Sequence, residues 1–155
     1  IAEYAKYLAK YEHVFFIGRG INFPAALEGA LKLKEVSYIH AEGYAAGEIK
    51  HGPFALLGSE TPVIAIVARD NTYEAMLTNI REIKARASPV IALSENGDEA
   101  VEELCDLVIT VPHAGAIFSP VVNSVALQLL AYYTAKERHC PIDFPRNLAK
   151  SVTVE

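Results

Sequence analysis

The sequence has no tryptophan, a single methionine and only two cysteines in 155 residues. Cys105 and Cys140 form neither a CxxC pair nor a Cys/His spacing that would hold zinc, so a structural metal finger is excluded. They read as two buried free thiols, at home in a reducing cytoplasm. Positive charge is also scarce: 14 Lys and Arg against 19 Asp and Glu give a net charge of -5 and a pI near 5.5. Nucleic acid is therefore not an expected partner, because phosphate backbones are gripped by clustered cations. No unbroken apolar run approaches the roughly 20 residues that span a bilayer, and no charged-then-apolar leader opens the chain. A membrane is not expected either. The turn Gly18-Arg19-Gly20 is followed by Phe23, so a GxGxxG dinucleotide loop fails. Glu48 and His51 lack a second histidine at helical spacing, and neither metal nor cofactor is expected.

What is present is the composition of a folded domain: 52% hydrophobic and 21% charged residues. The chain begins at Ile1, already inside a helical pattern (Ala2, Ala5, Leu8, Ala9), as an excised fragment would. Short apolar runs at Val14–Ile17, Pro62–Val67, Val90–Leu93 and Leu107–Val111 predict strands. Between them, helices are predicted over Pro24–Ile39 with Asn22 as cap, over Tyr73–Ala87, over Glu99–Leu104, and over Ser119–Glu137. The last is apolar enough to lie buried or at an interface. Strands that are apolar throughout, alternating with helices, predict a doubly wound parallel α/β sandwich. From Pro141 the pattern turns irregular, so the domain is expected to occupy residues 1–140, with 141–155 as a tail.

Three constellations could carry chemistry. Glu28, Lys32 and Glu35 fall within about 60° of one another on a helical wheel whose remaining circumference is largely apolar. Such a strip faces either solvent, with Glu28 and Lys32 as an i,i+4 pair, or a polar site. The glycine-punctuated run Glu42-Gly-Tyr-Ala-Ala-Gly-Glu-Ile-Lys-His51-Gly-Pro53 carries a histidine, the side chain best suited to proton transfer near neutral pH. A lone histidine is as readily structural, as His13, His40, His113 and His139 are read. Lys150, near the end of the sequence, is an ordinary solvated lysine unless the tail folds over a site, where desolvation frees its amine for Schiff-base chemistry.

Read together, Ala26-Leu-Glu-Gly-Ala-Leu-Lys-Leu-Lys-Glu35, Ala45-Ala-Gly-Glu-Ile-Lys-His-Gly-Pro53 and Pro145-Arg-Asn-Leu-Ala-Lys-Ser-Val-Thr-Val-Glu155 resemble the second SIS domain of the glutamine–fructose-6-phosphate aminotransferase family. The resemblance runs in register over nearly the whole chain. It implies a five-stranded parallel sheet between helices, a sugar-phosphate substrate, a homodimer and no cofactor. Lys150 matches the lysine that forms an imine with the open-chain ketose, and Glu35 the carboxylate that moves a proton between C1 and C2. His51 matches the ring-opening histidine, which in the family reaches the neighbouring subunit's site. Lys32 and Glu28 match supporting positions, and Ala149 a residue whose backbone lines the sugar. The family's glutaminase domain and first SIS domain are missing partners. Ala68-Arg-Asp-Asn-Thr72, with one hydroxyl and an acid, lacks the donors of a phosphate-binding loop, so the chain alone is expected to be inactive. The resemblance leaves room for a non-catalytic sugar-phosphate sensor or another SIS isomerase or deglycase.

Overall fold

The structure is a computed structural model that describes residues 1–148. Five strands, β1 (His13–Gly18), β2 (His40–Ala45), β3 (Val63–Ile66), β4 (Val90–Glu95) and β5 (Leu107–Val111), form one parallel sheet in the order β2-β1-β3-β4-β5. The helices are α1 (Ala2–Leu8), α2 (Phe23–Ser37), α3 (Tyr73–Lys84), α4 (Glu99–Leu104) and α5 (Gly115–Glu137). Alternate residues of the central strands feed two cores. Phe16, Ile64, Ile66, Ile91 and Leu93 meet α1, α2 and α5, whereas Phe15, Ile17, Val63, Ala65 and Ala92 meet α3 and α4. Coverage on both faces explains why these strands are apolar throughout and not alternating. The expected three-layer doubly wound sandwich is therefore observed. The chain leaves β1 outward to β2, then returns to β3 on β1's other side, which puts the topological switch at the carboxyl ends of β1 and β3.

The fifth strand, implied only by resemblance, is β2. Its sequence, His-Ala-Glu-Gly-Tyr-Ala, carries three titratable side chains and a glycine, which hid it from a search for apolar runs. It can be polar because it lies at the sheet's edge, paired only to β1 from His13↔His40 to Gly18↔Ala45. Gly43 lets α2 lie against this edge: an added Cβ would stand 2.9 Å from the Leu27 Cα.

Three helix boundaries differ from expectation. Helix α2 ends at Ser37, because Tyr38 adopts a left-handed conformation (φ 62°) and caps it through its N–H to the Lys34 carbonyl. Helix α3 stops at Lys84, short of Ala87, which has φ 59°. Helix α5 starts at Gly115, four residues before Ser119, and so holds Pro120 inside it. Proline cannot donate to the Ala116 carbonyl one turn back, but the Ser119 hydroxyl does so at 3.0 Å. Asn22 stands at the expected cap position but does not cap. Its side-chain amide donates to Ser119 Oγ (3.0 Å) and its oxygen accepts from Asn123 (2.9 Å), tying α2 to α5 through a buried polar bridge.

Among the described helices, α5 alone has the length and apolar content of a membrane span. One side of it packs in the core through Ala126, Leu127, Leu130 and Ala131; the other leaves Ile117, Phe118, Val121 and Val125 exposed. Both thiols are free but half-buried, not fully buried. Burial pushes the Cys105 thiol up to about 12, which leaves it unreactive at neutral pH.

Asp98 is the polar hub of the opposite face, only 3% exposed. Its carboxylate accepts from the Tyr73 hydroxyl (2.6 Å), Ser94 Oγ (3.1 Å) and the Val101 N–H that opens α4, with Arg69 Nε at 3.5 Å. Asp98→Ala strands these donors and removes a helix cap, and should cost about 2–4 kcal/mol. Urea unfolding checks this; a loss under 1 kcal/mol would refute the hub.

Candidate active site

Helix α2 runs antiparallel to the sheet, from the switch edge at Phe23 down to Ser37 beside the amino ends of the strands. Lys32 and Glu35 lie on its last turns and are paired at 2.5 Å, each side chain about a third exposed (32%). The hydrogen bond to Glu35 holds the Lys32 ammonium above the usual lysine range. The i,i+4 pairing of Glu28 with Lys32 does not form: Glu28, one turn earlier, lines the groove between α2 and α5 with Pro24, Pro120 and Gln128. The charged strip is thus a Lys32–Glu35 pair at the end of α2, with Glu28 turned to a separate groove.

After α5 the chain folds back over the end of α2. The Cys140 N–H donates to the Ala135 carbonyl (2.9 Å), and its Sγ lies 3.6 Å from the Ser37 carbonyl. Farther on, the Arg146 N–H donates to the Tyr38 hydroxyl at 2.9 Å, and its guanidinium lies 4.2 Å above the Tyr38 ring. Between this strap and α2 opens a cleft of about 580 Å³ lined by Glu35, Val36, Ile142, Asp143, Phe144, Pro145 and Leu148. Glu35 is its one glutamate. Lys150 and Ala149 lie outside the described residues.

His51 is elsewhere. It ends a 3₁₀ turn (Ile49–His51) beyond the carboxyl end of β2, is exposed, and is followed by Gly52 at φ 151°. Glu35 precedes the amino end of the same strand. Six strand residues span about 20 Å, so the two side chains sit at opposite edges of the sheet. Glu28, Lys32 and Glu35 share one helix; His51 does not join them within one chain.

The switch edge is occupied by internal contacts. Asp70 Oδ1 accepts from both the Thr72 N–H (2.7 Å) and the Thr72 hydroxyl (2.6 Å), and Arg69 donates to the Gly97 carbonyl (3.0 Å). Arg19 lines a crevice of about 200 Å³ there, its guanidinium held by Asn79 Oδ1 at 2.9 Å. The loop after β3 therefore offers a phosphate little, in keeping with its composition.

Sequence reading missed Tyr38 and Arg146 as a unit, since nothing in spacing joins residues 108 positions apart. It also missed the ladder on β1 and β2. His13 Nδ1 lies 3.2 Å from His40 Nδ1, His40 Nε2 lies 3.4 Å from Glu42, and Glu42 accepts from Tyr44. That hydrogen bond pushes the Tyr44 phenol up to about 12. Recognising β2 would have exposed the ladder, because parallel register sets His13 against His40.

A family model described as the SIS domain matches residues 7–138. The chain is 57% identical over all 155 residues to a glutamine–fructose-6-phosphate aminotransferase (isomerizing) of Methanosarcina acetivorans, but spans only 25% of that relative's length. A solved C-terminal domain of the corresponding Francisella tularensis aminotransferase superposes with TM-score 0.83 at 38% identity, covering 91% of this chain and 40% of that one. A Thermotoga maritima glucosamine-6-phosphate deaminase superposes with TM-score 0.74 at 25% identity, covering 97% of this chain and 45% of that one.

Proposed function

The chain belongs to the SIS-domain family, and from that membership we propose that it is the second SIS unit of a glutamine–fructose-6-phosphate aminotransferase. In this reading residues 1–140 are the SIS unit and 141–155 the tail that completes the sugar site. The observation that carries it is the cleft in which Glu35 faces the folded-back strap. Lys150 follows Leu148 by two residues, and two residues extend at most about 7 Å. Covalent reach therefore allows its amine to approach the cleft that Glu35 lines.

The chemistry assigned to these groups is an isomerization coupled to amination. The Lys150 amine adds to C2 of the open-chain ketose and loses water to give an imine, which acidifies C1–H. Ammonia adds to the imine carbon and the lysine amine leaves, so that an unsubstituted imine stands at C2 and C1–H stays acidic. Glu35 then takes the C1 proton and returns it at C2, while Lys32 sustains its negative charge, and the product is the 2-amino aldose. Glu28 and the backbone of Ala149 support the bound sugar. The separation of His51 from Glu35 within one chain supports a ring-opening role in a second copy's site, hence a homodimer. The exposed apolar side of α5 supplies surface for such an assembly and for the glutaminase and first SIS domains. Two free thiols suit a cytoplasmic setting.

In this reading the phosphate grip comes from outside this chain, because both donors of Thr72 in the loop after β3 are held by Asp70. Equilibrium titration of the chain alone with glucosamine 6-phosphate should therefore show no binding tighter than millimolar. A micromolar Kd, more than ~4 kcal/mol stronger, would indicate a complete site. It would favour a stand-alone deaminating enzyme, the reading to which the Thermotoga likeness points.

A further inference from the structure

The cleft that holds Glu35 is closed by a strap whose anchorage nothing in the proposed chemistry explains. Helix α2 ends at Tyr38 with φ 62°, a left-handed conformation that glycine adopts freely and asparagine tolerates, but that a bulky aromatic occupies only at a cost. The ring brought there is not a core residue: Tyr38 is half-buried, and the buried clusters do not include it. What it holds is the strap. Its hydroxyl accepts the Arg146 N–H at 2.9 Å, and its face carries the Arg146 guanidinium at 4.2 Å. One side chain thus grips both the backbone and the side chain of one residue, four positions before Lys150.

The rest of the strap is fixed only where it leaves α5. His139 turns the chain at φ 56°, and Cys140 bonds back to Ala135. From there to Arg146 the chain lies along the cleft with Phe144 85% exposed, so apolar burial does little to hold it. Asn147, at φ 61°, turns the chain again directly after the clamp. A strained backbone that survives where a cheaper residue would fit points to a use for the side chain it displays.

We propose that Tyr38 is a positioning residue: by clamping Arg146 it fixes the strap, and so sets the point from which the chain runs on to Lys150. The proposal rests on the reading of Lys150 as the imine-forming amine. Held at both ends, the strap spans the cleft in one path; released at Arg146, it is held only where it leaves α5, and the point from which Lys150 is presented is no longer fixed. Misplacement of a reacting group by about 1 Å is enough to cost up to 10²-fold in rate.

The test uses the full-length protein that carries this chain. Tyr38→Gly removes ring and hydroxyl while relieving the left-handed strain, so the melting temperature should hold or rise. Against that unchanged fold, borohydride-trapped imine and kcat for sugar amination should fall about tenfold or more, with KM for the ketose phosphate moving less than kcat. Tyr38→Phe, which keeps the guanidinium contact, and Arg146→Ala, which keeps the N–H bond, should each lose less. Adding Arg146→Ala to Tyr38→Gly should lose nothing further, because the clamp is already gone. Tyr38→Gly with wild-type kcat and imine yield would overturn the proposal, as would full additivity in the double variant. If Lys150→Ala itself leaves the imine intact, it is the reading of Lys150 that fails.

Discussion

Replacing Lys150 with alanine in the full-length protein should abolish the adduct that borohydride fixes from fructose 6-phosphate, and lower sugar amination by at least about a thousandfold. A loss of that size is ~4 kcal/mol of barrier, and its origin is specific. An ammonium with a free pKa near 10.4 is almost wholly protonated at neutral pH and cannot add to a carbonyl. The amine must be desolvated to act, and the cleft between α2 and the strap offers the apolar lining of Ile142, Phe144, Pro145 and Leu148 for that. Lys150→Arg is the sharper variant, because it keeps the positive charge and length but presents a guanidinium that stays protonated. It should be as inactive as the alanine variant. Peptide mass after reduction reads the outcome directly, as a hexose phosphate covalently carried on Lys150 in the wild type and missing in both variants. A wild-type adduct yield from Lys150→Arg would remove Lys150 from the mechanism.

How much of this was legible beforehand depended on whether the signal was local. The apolar runs of β1, β3, β4 and β5 are local, as is the i, i+3, i+4 spacing that sets Glu28, Lys32 and Glu35 on one helix, and these were read from residues alone. Strand β2 was not: an edge strand is half solvated, so Glu42 and Gly43 are tolerated and the apolar signature disappears. The start of α5 was misplaced for a related reason. Its first turn runs four residues ahead of the apolar stretch, and there the Ser119 hydroxyl supplies the bond that Pro120 cannot make. Asn22 reads as a cap because its neighbours fit one, yet a buried partner across the fold, Asn123, claims its side chain. The site divides in the same way. Lys32 beside Glu35 follows from spacing, whereas the placing of His51 at the far edge follows from the path of β2, and the hold of Tyr38 on Arg146 from tertiary folding alone.

Glu35→Gln should separate the two halves of the proposed chemistry. Glutamine preserves the shape and polarity of the side chain but cannot take a proton, and loss of a positioned general base costs typically 10²–10⁴-fold. The imine at Lys150 does not need that base to form, so the borohydride adduct should persist in Glu35→Gln while product formation falls by this factor. Deuterium from solvent should then enter C2 of the amino sugar slower by the same factor. The fold should tolerate the change. Lys32 loses its partner at 2.5 Å, but both side chains are about a third exposed, and water can solvate the ammonium left behind. The dissociation between the variants is what gives the pair its force: Lys150 substitutions lose adduct and turnover together, Glu35→Gln turnover alone. Deuterium entry at the wild-type rate in Glu35→Gln would show that another group moves the proton. The pair of Lys32 and Glu35 would then be an ion pair at the rim of a cleft, with the acid–base step carried by a residue beyond this helix.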